Sequence, residues 1–495
     1  MSLLERIAHQ RLDKLDGLRA RGIDPYPAHC KRSHTNAQAI ALLEKQEHEN
    51  VEAVEISITG RILANRDIGK LCFVNLVDDS GKIQLFINKA MLSDDCITLL
   101  KDLDIGDFIS ATGKVIRTRT GEPSIEVKEL TLLSKSLRPL PEKWHGLQDT
   151  ETRYRQRYVD LIANPDVKEI FRKRSHVISA IRQYLDEHGF LEVETPILQP
   201  SAGGALARPF VTHHNALDSN FYLRIALELH LKRLLVGGFD RVYEIGRVFR
   251  NEGIDTRHNP EFTLMECYQA YADYNDIMHM VEEMISRIVK SVTGNYVIPF
   301  GTDMLDFTPP WPRLDLRQAV LDKCGIDYDK FPNTSSLANE MRKRGIEFDQ
   351  SRDRGRLIDD LLSTFVEPTL KNPTFIVNYP IDMSPLAKNK HGDPCTVERF
   401  EAYAGCTEIA NAFSELNDPV EQERRFAAQI QGRADECTAS SVEVETMDED
   451  FITALEYGMP PTGGLGIGID RIVMLVTNQL SIREVILFPT LKEKD

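Results

Sequence analysis

The stretch RVFRNEGIDTRHNPEFTLMECY, residues 247–268, places most of its chemistry around one loop. Arg257, His258 and Asn259 stand between two partly alternating apolar segments, and their donors suit the β and γ oxygens of a nucleotide. Arg250 offers a planar fork for an α-phosphate or a carboxylate. Period-two counting puts Arg250 and Glu252 on one strand face, and Phe262, Glu266 and Tyr268 on one face of the returning strand. Phe262 could then stack on a base. A solvated hairpin with incidental charges is the competing reading of this stretch taken alone.

Two further clusters make the same demand. In PPTGGLGIGIDRIVML, Gly464, Gly466 and Gly468 fall at every second position, so one strand face has no side chains and something flat can approach it. A helix is expected to start at Asp470 as N-cap, with Arg471 beside it. The spacing is neither the GxGxxG of dinucleotide folds nor a GxxxxGK[ST] phosphate loop; close packing is the alternative use of the glycines. In ERFEAYAGCTEIANAFSELNDP, Glu401, Glu408 and Glu415 supply carboxylates, which in a phosphate-handling pocket hold magnesium. Asn411, Phe413 and Glu415 alternate onto one face, which leaves Glu408 on the other unless the chain bends near Gly405.

The elements that must position these residues divide the chain. Residues 2–22 read as an amphipathic helix ended by GIDPYP, an arm or cap that is net positive and expected to touch RNA. From Glu55 to Leu133, five short apolar runs (ISITGRIL, LCFVNLVD, KIQLFIN, DFISATGKVIRT, SIEVKELTLL) with turn signals between them suit an OB-fold. A proline-containing, charge-dense junction follows. The expected division is therefore an arm over 1–50, an OB-fold over 51–140, a linker over 141–165 and one large unit over 166–495. In that unit a helical stripe at Phe171, Ile178, Ile181 and Leu185 ends at Gly189, and a strand FLEVETPIL runs towards Pro196. The later strands lack a βαβ rhythm, which predicts an α+β unit with an antiparallel sheet flanked by helices. Residues 326–372 carry no chemistry that the sequence supports.

Composition narrows the class. A formal charge of −16 argues against indiscriminate nucleic-acid binding. The eight cysteines, among them Cys437, show no CxxC pairing, so neither a zinc site nor a disulfide framework is expected. No apolar run approaches bilayer length, and charges interrupt the start where a signal peptide would be apolar, so no membrane partner and a cytoplasmic location are expected.

Taken together, the Phe249–Glu252 strand with its RHNPEF loop, the GLGIGIDR segment and the strand ending at Pro196 resemble the three signature motifs of class II aminoacyl-tRNA synthetases. The OB-like domain and ETRYRQRYVDL are similar to the lysine, aspartate and asparagine subgroup. Within it, ARPFVTHHNALD, RIALELHLKRLLVGGFDRVYEIGRVFRNEG and EIANAFSELNDP resemble the bacterial-type lysyl-tRNA synthetase family. The resemblance covers residues 55 to the C-terminus.

That resemblance implies activation of L-lysine by ATP to lysyl-adenylate and pyrophosphate, then transfer to the 3′-hydroxyl of tRNA(Lys) by a homodimer formed through the Pro196 region. Carried over residue by residue, Arg250 and Arg471 would be catalytic. Arg250, Glu252, Arg257, His258, Asn259, Phe262, Glu401 and Arg471 would bind ATP, and Glu401 and Glu408 would hold Mg2+. Glu228 and Glu415 would receive the lysine ammonium, with Tyr268, Asn411 and Phe413 assisting, while Glu266 and Gly204 would address the α-amino group. Phe73, Gln84 and Glu122 would meet the anticodon, with Arg61, Arg66, Lys114, Arg117 and Arg119 as phosphate contacts. An aspartate enzyme would want a cation where Glu228 and Glu415 stand. The rival readings are aspartyl or asparaginyl specificity, and a paralogue that charges no tRNA.

Overall fold

A computed structural model describes residues 3–141, 147–201, 203–204, 207–350, 352–436 and 448–493, which leaves Cys437 outside. The other seven cysteines are free thiols. The chain separates into two compact units, Met1–Gln148 and Asp149–Asp495.

In the first unit, strands β1 (Glu55–Ile68), β2 (Leu71–Asp78), β3 (Gly81–Asn88), β4 (Phe108–Arg117) and β5 (Pro123–Ser134) close into a barrel of order β1-β2-β3-β5-β4. Period-two alternation drives the closure: Ile56 and Ile58, Val74 and Leu76, Ile83, Leu85 and Ile87, Ile109, and Ile125 all point inward and are buried. Each such side chain contributes about 1.5–3 kcal/mol on leaving water. Helix α1 (Leu3–Ala20) and helix α2 (Asn36–Glu49) add Leu18, Ala39 and Leu43 to the same core.

The basic arm is largely committed to its own barrel. Arg11 is buried and donates to the carbonyls of Ile105 and Arg138 at 2.9 Å and of Ser136 at 3.1 Å. Lys14 pairs with Asp104 at 2.7 Å, Arg21 with Asp102 and Arg32 with Asp78. Three of the seven basic side chains in residues 1–32 are thus paired with acids that lie far away in sequence, and a fourth, Arg11, is spent on carbonyls. Replacing Arg11 with Met should lower the urea midpoint of the barrel by the equivalent of about 2–3 kcal/mol, because three carbonyls lose their donor; an unchanged midpoint would mean the arm does not brace the barrel.

In the second unit, β6 (Leu191–Glu192), β7 (Arg241–Phe249), β8 (Glu261–Ala270), β9 (Arg313–Asp315), β10 (Thr374–Val377), β11 (Arg399–Ala404), β12 (Thr407–Ser414) and β13 (Thr462–Gly468) form one sheet of order β9-β10-β11-β12-β13-β8-β7-β6. Six neighbouring strands are antiparallel, and a short parallel strand sits at each edge. One face packs on α3 (Asp166–Glu187), α4 (Tyr274–Thr293) and α5 (Ile469–Val476) around a single large apolar core. Helix α4 starts at a capping box on Asp273, ends at Gly294 with φ +86°, and buries Ile277, Val281, Met284, Ile285 and Ile288 at helical spacing.

Several expectations need correction. The buried face of α3 is Val167, Val177, Ile181, Tyr184 and Leu185, with Phe171 and Ile178 only half-buried at its flank. FLEVETPIL is not one strand: it gives β6 and, after a break, the two-residue strand Leu198–Gln199, which joins a separate three-stranded sheet. Within the stretch read as junction, residues 150–163 form two short helices pinned to the C-terminal segment. There the fully buried Arg157 donates to the carbonyls of Leu487 at 3.1 Å and Arg483 at 3.0 Å.

Candidate active site

The sheet face away from the large core opens onto a cavity of about 610 Å³, a size ordinary for a small-molecule site. Strand alternation builds it. On β8, Met265 and Cys267 enter the core while Phe262, Leu264, Glu266 and Tyr268 line the cavity; on β13, Leu465 and Ile467 enter the core while Gly464, Gly466 and Gly468 lie beneath it. The cavity gathers every synthetase-site residue inferred above: Gly204, Glu228, Arg250, Glu252, Arg257, His258, Asn259, Phe262, Glu266, Tyr268, Glu401, Glu408, Asn411, Phe413, Glu415 and Arg471.

The glycines differ in what they permit. A methyl group on Gly464 would collide with the Glu415 carboxylate and come within 2.7 Å of the Tyr268 ring, whereas one on Gly466 meets nothing closer than 3.8 Å. Gly464 makes room for protein, and Gly466 makes room for a ligand. Gly466→Ala should therefore fold with stability within about 0.5 kcal/mol of the parent yet lose ligand binding, while Gly464→Ala should lose both; thermal unfolding beside a binding titration distinguishes the two.

The phase problem at Glu408 is solved inside β12. Glu401 pairs with Asn411, Ala402 with Ala410, and Tyr403 with Glu408, so Ile409 is an extra residue in a β-bulge. That single insertion turns Glu408 onto the face of Glu401 and Asn411. The hairpin also bends at Gly405, φ +60°, and Cys406, φ +58°, but this turn only joins the two strands.

At one end of the cavity, the Arg250 guanidinium lies 5.2 Å from the Phe262 ring centre and donates to the Ile225 carbonyl at 3.4 Å. Burial lowers its proton affinity from the usual value, and the Glu252, Glu408 and Glu266 charges oppose that shift. Arg471 donates to the Glu408 carbonyl at 2.7 Å and carboxylate at 3.0 Å. Arg257 reaches Glu367 at 2.9 Å, and His258 meets Asp255 at 2.8 Å through Nδ1, leaving Nε2 for a ligand. Two roles change here. Asn259 is buried and its amide is committed to Glu261 O at 2.6 Å and Thr490 N at 3.2 Å, so it ties the loop down. Asp470 is not the N-cap, which is Gly468; it is buried, accepts from Thr263 N at 2.7 Å and Arg174 at 2.6 Å, and locks α5 to β8 and α3.

Glu401 is buried and held from three sides: Tyr403 and Tyr379 donate to Oε2 at 2.5 and 2.7 Å, and Arg399 to Oε1 at 2.5 Å. Burial raises its proton affinity, and Arg399 opposes the rise. Glu401 and Glu408 fit a hard, oxygen-seeking cation, since both carboxylates share one sheet face and border the cavity. Among the described residues no group of three or more His, Cys, Asp or Glu is arranged to hold a metal ion, so the remaining ligands would come from substrate oxygens and water.

At the other end, helix α6 (Glu228–Val236) carries Glu228 in its first turn. Gly204 has φ +87°, which favours glycine, and a methyl group on it would lie 3.2 Å from the Ala226 Cβ and 3.4 Å from the Glu228 Cβ. Glu266 accepts from Leu227 N at 3.1 Å and Tyr268 Oη at 2.9 Å. Burial, reinforced by the Glu228 charge, pushes its pKa up to about 7. Glu415 is raised well above the usual carboxylate range, first by burial.

The chain also brings residues that the sequence reading missed. Lys232 contacts Glu228 and Glu415, and its position four residues after Glu228 on a helix was the available signal. Arg399 stands two before Glu401 on the same strand. The 326–372 stretch sends Asp359 to the cavity wall and Glu367 to Arg257.

In the barrel, Phe73 is not core: it is half-buried on the outer face, 5.6 Å from Phe86. Register places Asn75 opposite Gln84, and Gln84 beside Ser124, which donates to it at 3.0 Å; Glu122 lies two residues before Ser124. Arg66 is exposed opposite Phe73. Arg61 and Arg117 are engaged instead, Arg61 over the Phe108 ring and Arg117 in a fork with Glu47.

Glu266 gives a pH signature. A carboxylate whose folded pKa is raised from 4.5 to about 7 favours the folded state below pH 4.5, and that contribution is lost as pH rises through 7. Stability should fall by at most about 3 kcal/mol from this group between pH 4.5 and 7.5, and Glu266→Gln should remove that part of the slope in thermal unfolding; an unaltered slope would contradict the assignment.

Comparison with known proteins agrees with this geometry. Residues 149–492 match the family described as tRNA synthetases class II (D, K and N), and residues 56–133 match the OB-fold nucleic acid binding domain. A protein of Dehalococcoides mccartyi named lysine–tRNA ligase is 60% identical over 492 residues, covering 99% of this chain and 98% of its own. Proteins of the same name from Moorella thermoacetica and Chloroflexus aurantiacus are each 52% identical, over 98% and 99% of this chain and 97% and 99% of theirs. The chain belongs to the class II tRNA synthetases of the D, K and N group, on the branch of the lysine–tRNA ligases.

Proposed function

We propose that the chain is a lysine–tRNA ligase: it activates L-lysine with ATP and transfers it to the 3′-terminal adenosine of tRNA(Lys). The carrying observation is a single cavity with Glu228, Glu266 and Glu415 at one end and Arg250, Arg257, His258 and Arg471 at the other. Buried carboxylates need cations, and lysine brings two ammonium groups; phosphates need forks and imidazole, and ATP brings three phosphates.

In this reading Glu228 and Glu415 receive the side-chain ammonium with Tyr268, Asn411 and Phe413 around its stem, and Glu266 and the Gly204 turn meet the α-amino group. Phe262 stacks on the adenine, Arg250 grips the α-phosphate, Arg257 and His258 hold the distal phosphates, and Arg471 meets the far side of the nucleotide. Glu252 lies beside Arg250. A lysine carboxylate oxygen bonds to the α-phosphorus as the bond to pyrophosphate breaks, and Arg250 neutralises the charge that builds there. The tRNA 3′-hydroxyl then attacks the lysyl carbonyl and AMP leaves. Magnesium held by Glu401 and Glu408 would screen the phosphate charge.

For the barrel we read Phe73 as a stacking platform for an anticodon base, with Gln84 and Glu122 contacting base edges and Arg66 a phosphate. The half-exposed apolar side chains Leu191, Ile197, Leu198 and Val211 around Pro196 support a homodimer. Among the described residues no helix is long and apolar enough to cross a membrane, and we place the enzyme in the cytoplasm.

Amino-acid-dependent exchange of labelled pyrophosphate into ATP tests this. Exchange is expected with lysine alone, and Glu228→Gln or Glu415→Gln should raise the KM for lysine by about 10- to 100-fold, the value of a charged hydrogen bond. Exchange with a different amino acid would overturn the specificity, and no exchange at all would favour the paralogue that charges no tRNA.

A further inference from the structure

Lys232 has no part in the reading above, yet it is the cation closest to the carboxylates that the substrate would use. It lies one turn after Glu228 on α6, its side chain is fully buried, and its Nζ is 2.5 Å from Glu228 Oε1 and in contact with Glu415. The rings of Phe413 and Phe451 stand 5.6 and 5.9 Å from Nζ. Glu228, Glu415 and Phe413 line the cavity, but Lys232 does not. The lysine therefore stands behind the carboxylates and leaves their front open.

Two observations show what that arrangement leaves over. Both Glu415 side-chain oxygens are buried, and Lys232, which touches Oε2, is the donor they meet among the described residues. Lys232 engages Oε2 and leaves Oε1 unused. Next comes the count for an occupied pocket: Glu228, Glu266 and Glu415 can bring three negative charges to this end, and Lys232 returns one. The two that remain match the two ammonium groups of a free diamino acid, while its carboxylate is left for Arg250; without such a ligand, burial holds Glu266 and Glu415 towards their protonated forms.

We propose that Lys232 is a positioning residue for amino-acid specificity: from behind the pocket it sets one positive charge against Glu228 and Glu415 and leaves their cavity side to a substrate with two ammonium groups. This inference rests on Glu228 and Glu415 being the ammonium site. The charged groups around Nζ are Glu228 from α6, Glu415 from the end of β12 and, beyond Glu228, Glu266 from β8. The helix Glu449–Glu456 presents the Phe451 ring, and Asp448 and Asp450 at its start pair with Arg233 at 2.8 and 3.0 Å. Without Lys232, the three carboxyl groups would share a dry space with no protein cation behind them, which favours their protonated forms further and removes acceptors that a substrate ammonium needs.

A merely structural salt bridge and a charge-balancing one differ in sign. In pyrophosphate exchange, Lys232→Met in the otherwise unaltered enzyme should raise the KM for lysine about tenfold. In the Glu228→Gln background, where only one net negative charge remains, the same Lys232→Met change restores two. There it should lower the KM for lysine about fivefold, with the KM for ATP within about twofold throughout. The reversal of sign supports the proposal, and no reversal overturns it. If Lys232→Met alone does not fold, the double variant against Glu228→Gln still decides, since its net charge at this end equals that of the unaltered enzyme. If Glu228→Gln and Glu415→Gln both leave the KM for lysine unchanged, the ammonium site itself is wrong and the proposal falls with it, a result distinguishable from an intact site without reversal.

Discussion

Burying a carboxylate costs several kcal/mol unless a cation or enough donors meet it, and among the described residues the larger unit buries four glutamates beside one cavity: Glu228, Glu266, Glu401 and Glu415. Each is met differently. Glu401 has two tyrosine hydroxyls and Arg399; Glu266 has a tyrosine hydroxyl and a backbone N–H; Glu228 and Glu415 share Lys232. Only Glu401 is satisfied from three sides. The other three outnumber the protein cations that meet them, and we propose that a cationic ligand fills this deficit and that it gives the cavity its selectivity.

The sheet exists in the form that such a cluster needs. An antiparallel arrangement lets β8, β12 and β13 bring side chains from distant parts of the sequence to one face, while the opposite face supplies a core of Met265, Leu465, Ile467 and their helical partners. Because that core fixes the register of every strand, the cavity face is fixed with it. The bulge at Ile409 is the one place where the register is broken to serve the cavity, and Gly464 is where backbone makes way for a carboxylate. Asp470, buried between α5, β8 and α3, ties the helix that carries Arg471 to the strand that carries Glu266.

Much of this was legible in the residues. Barrel strands announce themselves by alternation, and the glycines at every second position of β13 mark a bare strand face before any coordinate is known. What was not legible depends on tertiary partners. A one-residue bulge leaves no compositional trace at Ile409, so simple alternation put Glu408 on the wrong face. FLEVETPIL carries strand-forming residues, but only Leu191 and Glu192 find a neighbour in the main sheet. Asp470 looks like a cap because caps and buried anchors use the same residue type, and only the Thr263 amide and Arg174 separate them. Arm charges looked free because their acidic partners, Asp78, Asp102 and Asp104, lie far along the chain. Lys232 went unread for another reason: an i,i+4 Glu–Lys pair is ordinary on a helix surface, and only its complete burial against Glu228 and Glu415 sets it apart.

The central claim is that the buried carboxylates select a side-chain ammonium, and calorimetric titration of the unaltered enzyme with L-lysine and with L-norleucine tests it most directly. The two ligands share the four-carbon stem and the α-amino group, and norleucine stops at a methyl at lysine's Cε and lacks the ammonium beyond it. Lysine is expected to bind at least about 10³-fold more tightly, because norleucine would leave Glu228 and Glu415 facing a methyl group. Affinities within about tenfold of each other would contradict the claim and reduce these glutamates to parts of the scaffold.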